Sequence, residues 1–210
     1  QFQDDLQAYF QFLIEILLVI SKSNGDAEVV YTLFAANTNK LNKNLAEILL
    51  RWATSYFEEA EADAGKSIAT VIAEFGNLIQ QFPMGNKASN MEIAIVSYET
   101  VLKVFTQRAF PKEWAMTQNN LATAYSDRIK GDKAENIEKA IQSYNAALLV
   151  RTQETFPLDW ATTQNNIGEA YRNRIKGSKA ENIEKAISSY NAALLVRIQQ
   201  DLPQQWAMTQ

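Results

Sequence analysis

Apolar residues return at three- and four-residue steps through most of the chain, a period that marks helices rather than strands. From Trp114, the positions Gln118, Leu121, Ala122, Tyr125 and Ile129 follow along one side of a helix, and Pro111 sits in its first turn. Lys130-Gly131-Asp132-Lys133 breaks the pattern, because glycine takes up the left-handed conformation that closes a helix. A second helix from about Ala134 puts Ile137, Ala140, Ile141, Tyr144, Ala147 and Leu148 on one face and stops at Phe156-Pro157.

The whole pattern then recurs. Residues 110–155 align with 156–201 at a period of about 46, and about 33 of the paired positions are identical. Leu202-Pro203 and Trp206 open a further, truncated copy. The same shift backwards finds an eroded copy, in which Phe75-Gly76, Gly85, Lys87-Ala88, Asn90, Ala94 and Tyr98 stand where Leu121-Ala122, Gly131, Lys133-Ala134, Asn136, Ala140 and Tyr144 stand in the next. Each unit reads as an antiparallel helical hairpin. Small residues at Ala122 or Gly168, Ala140 or Ala186, and Ala147 or Ala193 let its helices approach, and Trp and Tyr are expected to fill the space between neighbouring hairpins.

Before the repeats, residues 4–21, 26–36 and 39–62 read as three helices separated by Ser23-Asn24-Gly25 and Asn37-Thr38. The expected division is a helical cap over 1–64, a degenerate repeat over 65–109, full repeats over 110–155 and 156–201, and the start of another over 202–210.

In order and spacing, Ile167-Gly168, Tyr171, Ala186, Tyr190 and Ala193 resemble the tetratricopeptide repeat. That family's unit has about 34 residues, and the extra length here falls around the loop and the end of the second helix, which longer helices would explain. The stretch TQNNLATAY with its long second helix resembles the kinesin-light-chain type of repeat. NRIKGSKAENIEKAISSYNAALLVR resembles bacterial, notably cyanobacterial, repeat arrays, many of which carry a caspase-like CHAT domain. The resemblance implies an all-α, right-handed superhelical solenoid of antiparallel hairpins with an N-terminal helical cap. It also implies that the first helices line a concave groove.

At about 100° per residue, Met116, Asn120, Thr123 and Asp127 lie opposite the Trp114–Tyr125 stripe. In the next unit this set is Thr162, Asn166, Glu169 and Asn173, and in the eroded unit Thr70, Glu74, Asn77 and Gln81. By the resemblance these residues face a peptide or partner, and Asn120 and Asn166 take the contact asparagine's role. An asparagine side chain can pair with both N–H and C=O groups of an extended chain. Asn119 and Asn165 lie toward the groove's edge, where bonding to neighbouring helices explains them. Recent duplication is the competing account of the repeated asparagines, since copying preserves surface residues whether or not they are used.

Composition narrows the chemistry. The 210 residues include no Cys and no His, which excludes disulfides, thiolate nucleophiles and imidazole bases within this sequence. A net charge of -4 without a polybasic block points to protein or peptide partners and away from nucleic acid and anionic membranes. The apolar run AYFQFLIEILLVI contains Gln11 and Glu15 and is too short and too polar to span a bilayer, so no membrane association is expected. No secretory signal opens the sequence, so a cytoplasmic location is expected, and both ends read as cuts within a longer protein.

Ala64-Gly65-Lys66-Ser67 imitates the end of a phosphate-binding loop, but Ala60 stands where the first glycine is required and an acidic helix precedes it. The expected role of Gly65 is to break two helices. Glu58, Glu59, Glu61 and Asp63 read as a solvated helix end, not as a cation site. Glu135 and Glu138 suggest a surface ion pair between Glu135 and Lys139 more than acid–base work. No catalytic residue, cofactor or metal is therefore expected. Three functions follow: a non-catalytic interaction module, the regulatory arm of a larger enzyme such as a CHAT protease, or weak end-to-end self-association through residues 202–210.

Overall fold

The structure is a computed structural model that describes the backbone of residues 2–199 and the side chains of residues 6–196. The expected start of a further repeat at 202–210, with Trp206, lies outside the described residues. Every regular element among those described is helical, and the chain divides into two compact units, Gln1–Ala109 and Phe110–Gln210.

The first unit holds α1 (Phe2–Ser23), α2 (Ala27–Ala36), α3 (Lys43–Glu59), α4 (Ala62–Gln81) and α5 (Lys87–Val101). Leu13, Ile16 and Ile20 of α1, Leu45 and Leu49 of α3, and Phe75 of α4 are buried in its core, where α1 packs on α3 and α4. The ring of Phe34 stands 5.8 Å from that of Phe75 and 5.3 Å from that of Phe82, which fixes α2 by edge-on contacts. The third helix begins later than the expected 39, because residues Thr38–Lys40 form a single 3₁₀ turn. Asn42 then caps α3 by accepting a hydrogen bond from the Asn44 N–H at 2.9 Å.

Two expectations for this unit are corrected. Gly65 does not break two helices: α3 ends at Glu59, α4 begins at Ala62, and the Gly65 N–H already bonds to the Glu61 carbonyl at 2.8 Å. Its N–H is thus committed to a helical turn, as a phosphate loop could not allow. The apolar N-terminal helix also extends beyond the run AYFQFLIEILLVI, whose length was the ground for expecting no bilayer span. Helix α1 has 22 residues, and its window Leu6–Ser23 is long and apolar enough to cross a membrane by length and composition alone, a test that a core helix also passes. Within the fold, the Leu13, Ile16 and Ile20 side of that window is core, whereas Phe10 and Leu18 are exposed.

The second unit holds α6 (Pro111–Asp127), α7 (Lys133–Leu148), α8 (Pro157–Arg172) and α9 (Lys179–Gln199). Helices α6 and α7 pair as one hairpin and α8 and α9 as another, with α8 packed on α7 and alongside α6. Gly131 and Gly177 each adopt φ of 80° at the hairpin turns, as Gly85 does at 77° between α4 and α5. Helix α6 stops at Asp127, so Ile129 leaves the stripe it was expected to join and is 61% exposed. Helix α7 likewise ends at Leu148, short of Phe156, so residues 149–156 form a connection and take up part of the unit's extra length.

Candidate functional site

The sides of α6 and α8 that the angular argument assigned to a groove are the open ones. Met116, Asp127, Thr162, Glu169 and Asn173 are exposed, and Asn120, Thr123 and Asn166 are half-buried. The opposite stripe is closed: Leu121, Ala122, Ala124 and Tyr125 of α6 and Ile167 and Ala170 of α8 are buried. Trp160 is half-buried against Ala161, Ala193 and Val196, so it fills its own hairpin rather than only the gap between hairpins.

Two of the assigned residues also brace the hairpins. The Thr123 hydroxyl lies 2.9 Å from that of Tyr144, and the Tyr190 hydroxyl donates to Glu169 Oε2 at 2.9 Å. In the first unit Asn77 fills the same position and accepts from the Tyr98 hydroxyl at 3.0 Å. One position on each first helix thus holds the tyrosine of the second. Glu169 also receives hydrogen bonds from Arg172 and, at 2.9 Å, from Asn173 Nδ2. The arginine bond, helped by those from Tyr190 and Asn173, outweighs the cost of partial burial and holds the carboxyl down to about 2. Glu169 is consequently an anion at any pH near neutrality.

The two asparagines of α6 have separate roles. Asn119 is 8% exposed, and its Oδ1 accepts a hydrogen bond from Thr163 Oγ1 of α8 at 3.1 Å, a fully buried contact across 44 residues. Arg151 Nη1 donates to the same Thr163 oxygen at 3.2 Å and approaches Asp159 at 3.9 Å. Asn119 Nδ2 reaches Asn120 Oδ1 at 3.4 Å. The first asparagine therefore belongs to the joint between the hairpins, while the second borders the open side.

A second joint replaces the expected Glu135–Lys139 pair. Glu135 pairs with Lys176, and Glu138 with Arg174 through two hydrogen bonds of 2.7 and 2.8 Å. The α8–α9 turn brings both cations onto α7, and Lys139 instead lies 5.1 Å from the centre of the Tyr125 ring. Hydrogen bonding from Arg174 moves the Glu138 carboxyl below its ordinary value.

Sequence reasoning gave no role to a third set. Asn90, Asn136 and Asn182 are all buried, and each donates through Nδ2 at 2.9 Å to the carbonyl of Met84, Lys130 or Lys176 in the preceding turn. Arg128 and Arg174 satisfy the remaining oxygens of Asn136 and Asn182 at 3.3 Å. Phe82 occupies the equivalent place in the first unit, and there Asn90 Oδ1 is buried without a partner among the described residues. The repetition along the chain of an asparagine six residues after each turn carbonyl was the available signal.

Among the described residues, no group of three or more acidic side chains converges to hold a metal ion. In the first unit a shallow hollow runs along α1, lined by Phe10, Ile14, Leu18 and Val19, all from one helix.

Antiparallel hairpins joined by a recurrent turn and stacked through the same positions make residues 110–199 a helical-repeat array. The family model described as Tetratricopeptide repeat matches residues 114–149 and 160–195, one span in each hairpin. The two hairpins are thus of tetratricopeptide-repeat type, repeats that generally mediate protein–protein interaction and are typically non-catalytic. No curated protein and no solved structure matches the chain.

Proposed function

We propose that the chain is a non-catalytic interaction module that receives a peptide or an extended partner segment along the open side of α6 and α8. The supporting observation is the contrast between the two sides of these helices: Met116, Asn120, Asp127, Thr162, Asn166 and Asn173 stay accessible while the opposite stripe is core. Asn120 and Asn166 fall on adjacent first helices, and their amides suit the alternating donors and acceptors of an extended backbone. Glu169 stands between Asn166 and Asn173 in the α8 set, its carboxylate paired with Arg172.

The test selects ligands from a random peptide library on the full chain and measures their affinity for it and for the Asn120→Ala, Asn166→Ala double variant. A loss of about tenfold or more at unchanged thermal stability is expected. Equal affinity for both proteins would sink the reading.

A further inference from the structure

The two hairpins differ at few positions, and those positions are unevenly placed. From Lys133 to Leu148, α7 matches the start of α9 at every residue but one, where Gln142 gives way to Ser188. Exposure does not by itself bring change: Lys133, Glu135, Lys139 and Asn145 of α7 are exposed and return as Lys179, Glu181, Lys185 and Asn191. From Pro111 to Asp127 of α6, by contrast, eight positions change. Two of these, Leu121 to Ile167 and Ala122 to Gly168, are exchanges in the core, and the other six are exposed or half-buried in α6. Of the open-side set, Asn120 alone is kept, as Asn166, while Met116, Thr123 and Asp127 become Thr162, Glu169 and Asn173. Copying followed by indifferent drift would scatter changes over the exposed positions of both helices. Here the open side keeps one amide and changes its neighbours.

The exchanges alter what each first helix offers. Glu169 of α8 is engaged at both oxygens: Oε1 accepts from Arg172 and Asn173, and Oε2 accepts from Arg172 Nε at 3.0 Å and from the Tyr190 hydroxyl. Asp127 of α6 is exposed, and its carboxylate has no ion-pair partner among the described residues. It is also the last residue of its helix, where the helix dipole disfavours an anion, and the uncharged Asn173 fills the same place after α8. Packing and capping therefore give this charge no reason to be there. Met116 is likewise 41% exposed, although Thr162 shows that a polar residue serves the fold equally at that place.

We propose that the partner is a segment both basic and apolar, with a lysine or arginine against Asp127, an apolar side chain against Met116 and uncharged residues against Thr162 and Asn173. The constant Asn120 and Asn166 hold its backbone, and the exchanged positions read its side chains. This rests on the interaction module proposed above and adds the chemistry of what that module takes. A cation brought to Asp127 relieves the unfavourable anion at the end of α6, and the net charge of -4 draws a basic segment from a distance. Because α6 and α8 present different surfaces, one non-repetitive segment satisfies both, whereas a partner offering the same residue twice fits only one of them.

The test selects a random peptide library on the full chain and, in parallel, on its Asp127→Asn and Met116→Thr variants, each of which places in α6 the residue that α8 already carries. Lysine and arginine should be enriched on the unaltered protein and fall to library frequency on Asp127→Asn, and the apolar preference should fall in the same way on Met116→Thr. A lysine-bearing peptide from the first selection should bind the Asp127→Asn protein about fivefold more weakly, with a loss that shrinks as salt is raised. The thermal midpoint of that variant should stay level or rise, which a structural role for Asp127 would not allow. Peptides that need Asn120 and Asn166 but show no basic preference, or that keep it on Asp127→Asn or keep the apolar one on Met116→Thr, overturn this inference and leave the module standing. Peptides indifferent to both asparagines, or no enrichment on any of the proteins, overturn both.

Discussion

Asparagine is a poor helix residue because its side chain competes for backbone bonds, so a pair of them in mid-helix needs an explanation for each member. Asn119 has one: its oxygen meets the fully buried hydroxyl of Thr163, which Arg151 also reaches. Burial pushes the Arg151 guanidinium below its ordinary value, with Asp159 opposing that, which marks the joint as a desolvated polar cluster. Such a cluster is costly to break. Asn119→Ala is expected to lower unfolding free energy by about 1–3 kcal/mol, the cost of stranding a buried hydrogen-bonding group. Asn120→Ala should stay within about 0.5 kcal/mol, since its position borders solvent and alanine gains helix propensity. Urea denaturation of the two variants checks the difference, and equal losses would show that both asparagines serve the fold.

The element scale brings out which features were legible along the chain. Hydrophobic period, the recurring glycines and Pro111 and Pro157 were enough to place the hairpins of the second unit, because each acts within one helix or turn. Partners separated by a whole unit were not: Asn119 with Thr163, Glu138 with Arg174 and Glu135 with Lys176 depend on how one hairpin lies on the next. Helix ends were misplaced for a related reason. Ile129 keeps the helical period yet falls beyond the turn, and period alone does not see where the backbone bonds stop. The open side of α6 and α8 was legible as an angle, but the ties of Thr123 and Glu169 to the tyrosines of α7 and α9 were not. The approach of paired helices yields its own prediction. A Cβ added at Gly168 would lie 2.8 Å from the Tyr190 ring, whereas Ala122 already carries one at the equivalent place. Gly168→Ala should therefore destabilise by about 1–3 kcal/mol through overpacking, in spite of alanine's better helix propensity. A raised thermal midpoint for this variant would show that Tyr190 yields freely.

For the molecule as a whole, charge sets the conditions under which the hairpins stay joined. The net charge is -4 at pH 7 and the isoelectric point lies near 5.0, so mild acid brings the chain toward neutrality before its carboxylates are fully protonated. Glu138 bonds Arg174 across the hairpins of the second unit, and the two side chains are only 29% and 23% exposed, a degree of cover that limits screening by salt. Because its carboxyl sits below the ordinary value in the folded chain, this bond contributes stability above the normal carboxylate range. The contribution fades as pH falls through that range to the lower folded value, since protonation removes the charge that Arg174 binds. Glu138→Gln should thus cost about 1 kcal/mol at pH 7 and progressively less in acid. Thermal melts of the parent and the variant, followed by circular dichroism at low protein concentration, should give curves that converge as pH drops below about 4.5. Parallel curves from neutral pH into acid would mean that the carboxylate charge adds nothing to the joint, leaving the Asn119–Thr163 cluster and the buried faces of Ile137 and Ile141 to hold it.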